Sequence, residues 1–485
     1  MKFYEMVIGL EVHCQLATKT KLFCGCATDG FGAPANSRVC PVCTGQPGVL
    51  PVLNRRAVEL AFQAALALDC ELAKTSIFAR KNYFYPDLPK AYQISQYEEP
   101  FSVNGMLDCS LKDGSTKRVR IHRIHLEEDA GKLLHSIGAE ELDYSLVDFN
   151  RGGTPLIEIV SEPDMRGSEQ AYAYLTALKK VLQYVGVSRC DMEKGEMRCD
   201  ANISVRQAGA EKLGTRAEIK NLNSFKGVRD ALEYEFRRQT EIIESGGRII
   251  QETRLWDSAK MATFSMRSKE EAHDYRYFPD PDLVPMDADC AWVGQLKAAL
   301  PELPAARRSR FISEYRLSSY DAEVLTGDRA LADFFDAAAK GLSVEAAKIA
   351  ANFMNTDLLG KLNATGTPIA RSPVPPGNLK ALAILIENGT LSSKLGKDVF
   401  AKMWETARSP DALVSELGLS QVLDEAQIKA WVDSALAGNA RAAEDLKQGK
   451  ERAIGAIVGA VMKLSKGKAN PALVNRLIKE AVTGL

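Results

Sequence analysis

The chain has 485 residues, of which 46% are apolar and 26% charged, and its formal net charge is −1. This composition is typical of a globular protein of two to four domains. It excludes the strongly basic overall surface of many nucleic-acid-binding proteins, although not a local basic patch. The apolar run 453–462 is shorter than the roughly 20 residues of a membrane span, and the N-terminus lacks a signal-peptide pattern. We therefore expect a cytoplasmic protein without a membrane segment.

Residues 1–293 alternate between short strand patterns and helical patterns. Alternating apolar and polar residues predict strands at Met6–Leu16, Lys117–Glu128, Pro155–Ser161 and Met197–Arg206. Apolar residues at helical spacing predict helices at Asn54–Leu72, Ser168–Val185 and Phe225–Glu244. This mixture indicates a strand-rich α+β body.

The strand patterns stop near the prolines at 279–281 and 301–304, and Ala, Leu, Glu and Lys at helical spacing follow. We predict an all-α helical domain over 294–409 and a small helical tail domain over 410–485. A proline-rich stretch at 371–377 interrupts the first of these, and a helix resumes at Asn378–Glu387.

The first candidate functional pair lies on the first strand. Alternation places Met6, Ile8, Leu10 and Val12 on one face and Gly9, Glu11 and His13 on the other. A carboxylate and an imidazole two residues apart can both reach one ion, but an ordinary exposed polar face has the same pattern.

Three further segments carry carboxylates. Residues 124–129 contain three acids at a strand end, Glu158 lies within an apolar strand, and Asp200 lies on the polar face of 197–206. Oxygen ligands with one imidazole suit a hard divalent ion such as Mg²⁺. An ion pair with an arginine would explain Glu158 as well, because a buried carboxylate needs some partner.

Four of the ten cysteines, Cys24, Cys26, Cys40 and Cys43, have the spacing C-x-C-x13-C-x2-C. Two short-spaced pairs in a reducing compartment are typical of a tetrahedral, structural zinc knuckle. The alternative is four core cysteines. The remaining six are predicted to be buried, inert thiols: Cys14, Cys70, Cys109, Cys190, Cys199 and Cys290.

No P-loop, dinucleotide-binding, nucleophile-elbow or H-E-x-x-H motif occurs, so any ATP chemistry must use another fold. Candidate phosphate-binding cations are Arg80, Lys81, Lys90, Arg151, Arg198 and Lys220, each of which a solvated surface charge would also explain. Residues 441–485 hold nine Lys/Arg against four Asp/Glu, a local excess of +5 that would attract RNA phosphates. A solvated helix face gives the same excess.

Six longer motifs identify a family resemblance. They are Val7–His13, Arg80–Gln96, Glu127–Lys132, Gly153–Asp164, Arg198–Ser204 and Asp274–Pro279. In this order, together with the basic loop Ser465–Pro471, they resemble the B subunit of the bacterial aspartyl/glutamyl-tRNA(Asn/Gln) amidotransferases from end to end. The resemblance implies an α+β cradle for residues 1–293, with the helical half and its tail gripping tRNA.

The resemblance also implies the activity. The chain would use ATP to phosphorylate the side-chain carboxylate of Glu-tRNA(Gln) or Asp-tRNA(Asn), as part of a carbon–nitrogen ligase with glutamine as amido donor. A partner of the amidase type, the A subunit, would release ammonia from glutamine, and the ammonia would displace the phosphate. The small C subunit would complete the heterotrimer. The implied cofactors are ATP, Mg²⁺ and structural Zn²⁺.

The family motifs place the metal-binding and catalytic residues at Glu11, His13, Glu128, Glu158 and Asp200. Glu127 and Asp129 take indirect roles beside them, and Lys81, Arg151 and Arg198 are the expected ATP-binding cations. The zinc knuckle, present in some members, falls on the four cysteines. The alternative is a non-catalytic protein that binds tRNA and assembles the complex, in which the carboxylates are structural.

Overall fold

The structure is a computed structural model that describes residues 3–137, 140–266, 275–418, 424–448, 450–465 and 469–483. Its contacts divide the chain into two compact units, Met1–Leu303 and Pro304–Leu485. Asp274 of the last family motif and residues 466–468 of the basic loop lie outside the described residues.

The first unit contains the strands. They are β1 (Tyr4–Gln15), β2 (Glu71–Leu72), β3 (Thr75–Ser76), β4 (Ala79–Asn82), β5 (Tyr92–Ser95), β6 (Ser102–Ser110), β7 (Thr116–Glu128), β8 (Lys132–Ile137), β9 (Glu140–Asp148), β10 (Pro155–Ser161), β11 (Met197–Gln207), β12 (Ala217–Leu222), β13 (Glu252–Asp257), β14 (Ala262–Ser265), β15 (Phe278–Pro279) and β16 (Met286–Asp287). Its helices are α1 (Arg55–Ala67), α2 (Ser168–Val185), α3 (Phe225–Glu244) and α4 (Cys290–Ala298).

Nine strands form one mixed sheet in the order β14-β13-β12-β11-β1-β10-β7-β6-β2. The pairs are antiparallel except β12 with β13, which run parallel. Strand β1 therefore lies in the middle of the sheet, between β10 and β11. Smaller sheets join β15, β4 and β5, then β16 with β3, and β8 with β9.

One face of the large sheet packs against helices. Ile8, Leu10 and Val12 of β1 share a buried apolar cluster with residues of α1, α2 and α3, such as Phe62 and Leu175. The alternate residues Glu11 and His13 face the opposite side, as the period of two in the sequence predicts. This opposite, polar face carries the candidate site.

The predicted α+β class is confirmed, and β10, α2 and α3 have the predicted bounds. Helix α1 is shorter than predicted, because Asp69 adopts a left-handed conformation (φ 55°) after Ala67 and the chain then enters β2. Asp tolerates this conformation better than most residues, so apolar spacing alone does not reveal the stop. Five of the six remaining cysteines are buried as predicted, but Cys290, at the start of α4, is exposed.

The second unit is helical throughout its described residues. Its helical segments are α5 (Pro304–Tyr315), α6 (Ser319–Leu325), α7 (Arg329–Ala339), α8 (Val344–Phe353) with a π-helical continuation Met354–Leu358, α9 (Leu359–Thr365), a 3₁₀ turn Ile369–Arg371, α10 (Pro376–Glu387), α11 (Ser393–Thr406), α12 (Pro410–Leu417), α13 (Glu425–Gly438), α14 (Ala440–Lys447), a 3₁₀ turn Glu451–Ala453, α15 (Ile454–Leu464) and α16 (Pro471–Thr483). Residues of α13, α15 and α16 share a separate apolar cluster that includes Ile428, Ile457 and Ile478. Among the described residues, no helix is both long and apolar enough to cross a lipid bilayer.

Candidate active site and metal centres

Four ionisable side chains meet on the polar face of three neighbouring strands. Antiparallel pairing sets His13 of β1 opposite Glu158 of β10, and Glu158 opposite His125 of β7. Glu158 Oε2 lies 3.3 Å from His13 Nε2 and 3.2 Å from His125 Nε2. Glu127, two residues after His125, approaches the same imidazoles at 3.7 Å and 3.5 Å. We call His13, His125, Glu127 and Glu158 the carboxylate–imidazole cluster.

The donor set of this cluster fits a divalent cation. Ligand atoms of His13, Glu127 and Glu158 all lie within 4.8 Å of one another. Nδ1 of His125 is buried without a hydrogen-bond partner, although buried polar atoms normally have one. Carboxylate oxygens with an imidazole suit Mg²⁺ or a related divalent ion.

The electrostatics of the cluster show strong mutual stabilisation. Burial alone would lower the pKa of His125, but Glu158 and Glu127 outweigh it and raise that pKa to about 9. Burial alone would likewise raise the pKa of Glu158, but His125 and His13 hold it well below its ordinary value. The carboxylates are therefore ionised and can accept a cation.

Lys81, a predicted ATP-binding cation, lies beside this cluster. Burial would lower its pKa, but the charges of Glu127 and Glu158 raise it above the ordinary value. Its ammonium is also 4.9 Å from the ring centre of Tyr275, a cation–π distance. The residue on β4 thus supplies a positive charge next to the carboxylates.

The structure places Glu128 away from the cluster. Its side chain pairs with Lys90, and its Oε1 accepts a hydrogen bond of 3.0 Å from the amide of Ile94. Lys90 and Glu128 line a cavity of about 120 Å³ that also borders Cys24 and Cys43. Glu127, for which the sequence predicts an indirect role, occupies the position next to His13 instead.

Glu11 and Asp200 form a second acidic pair further along the sheet. They are directly opposite in the pairing of β1 with β11. Glu11 accepts a 2.9 Å hydrogen bond from Asn202, and Asp200 lies 3.4 Å from the ammonium of Lys220. Of the described residues, neither belongs to a group of three or more close ligand atoms.

Arg151 and Arg198, the other predicted ATP-binding residues, meet at one buried carboxylate. Asp129 Oδ1 is 2.8 Å from Arg198 and 3.6 Å from Arg151. Burial would raise the pKa of Asp129, but the two guanidinium groups lower it below the ordinary value. Arg198 nevertheless remains 38% exposed, so part of its guanidinium faces solvent.

The four cysteines Cys24, Cys26, Cys40 and Cys43 converge in the connection between β1 and α1, and their sulfurs all lie within 4.8 Å of one another. A tetrahedral zinc with Zn–S distances of about 2.3 Å would separate its sulfurs by about 3.8 Å, so the set fits such an ion. A hydrogen bond from Cys24 is the main reason why the pKa of Cys43 falls to about 4. Thiolate is the form that binds metal.

The turn behind the second cysteine pair requires a glycine. Gly45 has a φ of +67°, and a Cβ at this position would lie 2.5 Å from Cγ of Lys90. The close approach brings the cysteine loop against the lysine that pairs with Glu128.

Sequence reasoning missed the roles of His125 and Glu127 in the cluster, although the sequence contains a signal for them. Buried residues of β7 switch from odd to even positions, from Val119 and Ile121 to Ile124 and Leu126. The pairing with β10 shifts at this point, as in a β-bulge. The shift turns residues 125 and 127 to the polar face and residue 128 away from it.

The fold and these groups define a class: an α+β protein whose central sheet carries a carboxylate–imidazole cluster, with a tetracysteine knuckle in the same unit. Comparison with known proteins narrows this class. Residues 6–294 match the GatB/GatE catalytic domain, and residues 333–482 match the GatB domain.

The relatives agree over the whole length. The chain is 53% identical over 485 residues to the B subunit of the aspartyl/glutamyl-tRNA(Asn/Gln) amidotransferase of Carboxydothermus hydrogenoformans, with all of both chains covered. The corresponding protein of Brevibacillus brevis is 53% identical over 486 residues, with 100% of both chains covered. That of Geobacter sulfurreducens is 53% identical over 482 residues, covering 99% of this chain and 100% of its own. The chain therefore belongs to the family of B subunits of the aspartyl/glutamyl-tRNA(Asn/Gln) amidotransferases.

Proposed function

We propose that this chain activates the side-chain carboxylate of tRNA-bound glutamate or aspartate by phosphorylating it with ATP. The observation that carries the proposal is the carboxylate–imidazole cluster on the polar sheet face, with the cation of Lys81 beside it. Phosphoryl transfer needs mainly a positioned divalent cation and further positive charges. A sheet face with this donor set is suited to provide both.

The reaction proceeds in two steps. A side-chain carboxylate oxygen of the aminoacyl group attacks the γ-phosphorus of ATP, the bond from the γ-phosphorus to the bridging oxygen breaks, and ADP leaves. Ammonia then attacks the carbonyl carbon of the acyl phosphate, loses a proton, and inorganic phosphate leaves. The product is the amide, Gln-tRNA(Gln) or Asn-tRNA(Asn). A carboxylate alone is a poor acyl donor, whereas an acyl phosphate has a good leaving group.

His13, Glu127 and Glu158 would hold the divalent cation, and Glu11 and Asp200 would extend the acidic face along β1 and β11. When bound, Mg²⁺ supplies charge that offsets the negative phosphate oxygens.

The remaining site residues bind and position the phosphate groups. Lys81 attracts the phosphoryl group being transferred, and Arg198, oriented by Asp129 together with Arg151, contacts the other phosphates. Glu128 has a positioning role, because Lys90 and the amide of Ile94 already use its carboxylate.

The chain would work in a cytoplasmic heterotrimer with an amidase partner, the A subunit, which releases ammonia from glutamine, and with the small C subunit. Structural zinc would occupy the four-cysteine site. The misacylated tRNA would contact the helical tail domain 410–485. The names of the relatives support these partners, since they describe one component of a tRNA-dependent amidotransferase.

A trapping experiment separates this proposal from the alternative of a non-catalytic protein that binds tRNA and assembles the complex. The reconstituted complex is incubated with ATP and Glu-tRNA(Gln) without glutamine, and the acyl phosphate is trapped with hydroxylamine. Glu158→Gln should reduce trapped product at least about 100-fold, which equals about 2.7 kcal/mol of transition-state stabilisation.

The matched control is Glu169→Gln, which removes an exposed carboxylate that pairs with Lys112 and Arg229. It should leave the yield unchanged. An unchanged yield with Glu158→Gln, in a complex that still binds tRNA, would favour the non-catalytic alternative.

A further inference from the structure

Lys21 lies behind the four-cysteine site and is completely buried. Its ammonium is 3.6 Å from Cys43 Sγ and 3.3 Å from the carbonyl oxygen of Phe149. Its backbone amide donates a 2.9 Å hydrogen bond to the carbonyl of Cys26, so the residue is built into the cysteine loop itself.

The counter-charge of Lys21 comes from the cysteine loop. Across the described part of the chain, no ion pair joins Lys21 to a carboxylate, and the nearest candidate anion is the Cys43 sulfur. The side chain packs on Gly153, where a Cβ would lie 3.4 Å from Lys21 Cδ. Burying a charged group is costly unless a partner of opposite charge and hydrogen bonds compensate.

The charge of the metal centre supplies this partner. Four thiolates around one divalent zinc carry a net charge of −2, and the same low-dielectric surroundings make that charge costly as well. The ammonium next to Cys43 halves it. Groups that contact metal ligands in this way commonly change metal affinity by about 10–100-fold when they are removed.

We propose that Lys21 is the counter-cation of the four-cysteine metal centre, a positioning residue that stabilises its anionic form and orients the Cys43 thiolate. This inference rests on the proposed zinc site. Lys21 contacts no substrate in this assignment; it acts on the metal through Cys43.

Zinc affinity of the purified full-length chain tests the assignment. Zinc content is measured by mass spectrometry, and affinity by competition with a chromogenic chelator. Lys21→Met should weaken zinc binding about 10–100-fold. Lys19→Met is the matched control, since it removes an exposed lysine from the same loop and should bind zinc like the parent chain.

A second pair keeps the test decisive if Lys21→Met fails to fold. Lys21→Arg retains the charge and Lys21→Gln retains only hydrogen bonding. Loss of zinc affinity in Lys21→Gln with retention in Lys21→Arg supports a charge effect, and equal affinity in the two overturns the proposal. Absence of zinc from both the parent chain and Lys19→Met would instead refute the zinc site itself.

Discussion

Glu235 offers a quantitative test of how the sheet edge is stabilised. It lies on α3 with no exposed side-chain surface. Its carboxylate accepts hydrogen bonds of 2.9 Å and 2.8 Å from Arg238 and one of 3.1 Å from Gln239. Arg254 of β13 lies 2.9 Å away, and the hydroxyl of Thr263 on β14 donates to the same group. One carboxylate therefore joins a helix to the last two strands.

The substitution Glu235→Gln keeps the volume but removes the charge. It leaves two arginines, 19% and 11% exposed, without their buried partner. Breaking a buried pair costs about 3–5 kcal/mol. Glu252 contacts both arginines and retains part of the stabilisation, so we expect the lower figure, about 3 kcal/mol.

Hydrogen exchange of the amides in β13 and β14 measures this loss locally. At neutral pH, Glu235→Gln should accelerate exchange there roughly 150-fold, the equivalent of about 3 kcal/mol. Glu244→Gln, at an exposed position of the same helix, should leave exchange unchanged. Exchange accelerated less than about fivefold, or about 1 kcal/mol, would refute the reasoning.

The same difference should depend on pH. Burial alone would raise the pKa of Glu235, but hydrogen bonds from Arg238, Thr263 and Gln239 hold it below the ordinary value. A carboxyl whose pKa is lowered by folding contributes stability above its unfolded pKa and loses it as pH falls through the folded one. The gap between parent and variant should therefore be full above about pH 5 and narrow in more acidic solution.

Three further predictions concern the candidate sites. Cys40→Ser should lower zinc content and thermal stability together; a metal assay that finds no zinc in the fresh parent protein would contradict the assignment. Asp200→Asn should abolish amide formation on tRNA but leave glutamine hydrolysis by the amidase partner; loss of both in an assembled complex would make Asp200 structural. Replacing the exposed cations Arg441, Lys447 and Lys463 by Gln should weaken tRNA binding and reduce the slope of log K against log salt by roughly 0.7–0.9 for each phosphate that is no longer bound. An unchanged slope would show that these charges form a solvated face.

The structure explains why these substitutions are preferable to deletion of the tail from residue 441. The apolar cluster of α15 and α16 includes Ile428 and Val432 of α13, which precede that point. A deletion would expose these side chains and disturb folding, so a loss of tRNA binding would have two explanations.

Alternation in the sequence predicts much of the site. It correctly turns Glu11, His13 and Asp200 to the polar face, because their strands are regular. It also predicts that the four cysteines are near one another, since their short spacings bring sulfurs together whatever the surrounding fold. Local patterns suffice where an element is uninterrupted.

Other features depend on tertiary structure. A β-bulge in β7 decides that Glu127, rather than Glu128, joins His13, and only the pairing with β10 makes its effect explicit. Asp129 and Arg198, which are 69 positions apart, meet because β7 and β11 belong to one sheet. Lys21 looks like any loop lysine in the sequence, and only its burial next to Cys43 distinguishes it.

The central claim is that the aminoacyl carboxylate passes through an acyl phosphate, and transfer of an oxygen isotope tests it most directly. Glu-tRNA(Gln) carrying ¹⁸O in the side-chain carboxylate is converted by the reconstituted complex with ATP and glutamine, and the released nucleotide and inorganic phosphate are analysed by mass spectrometry. The account predicts that one ¹⁸O leaves in inorganic phosphate for each amide formed, because the attacking carboxylate oxygen departs with the phosphoryl group. Inorganic phosphate without the label, or label recovered in AMP, would contradict it.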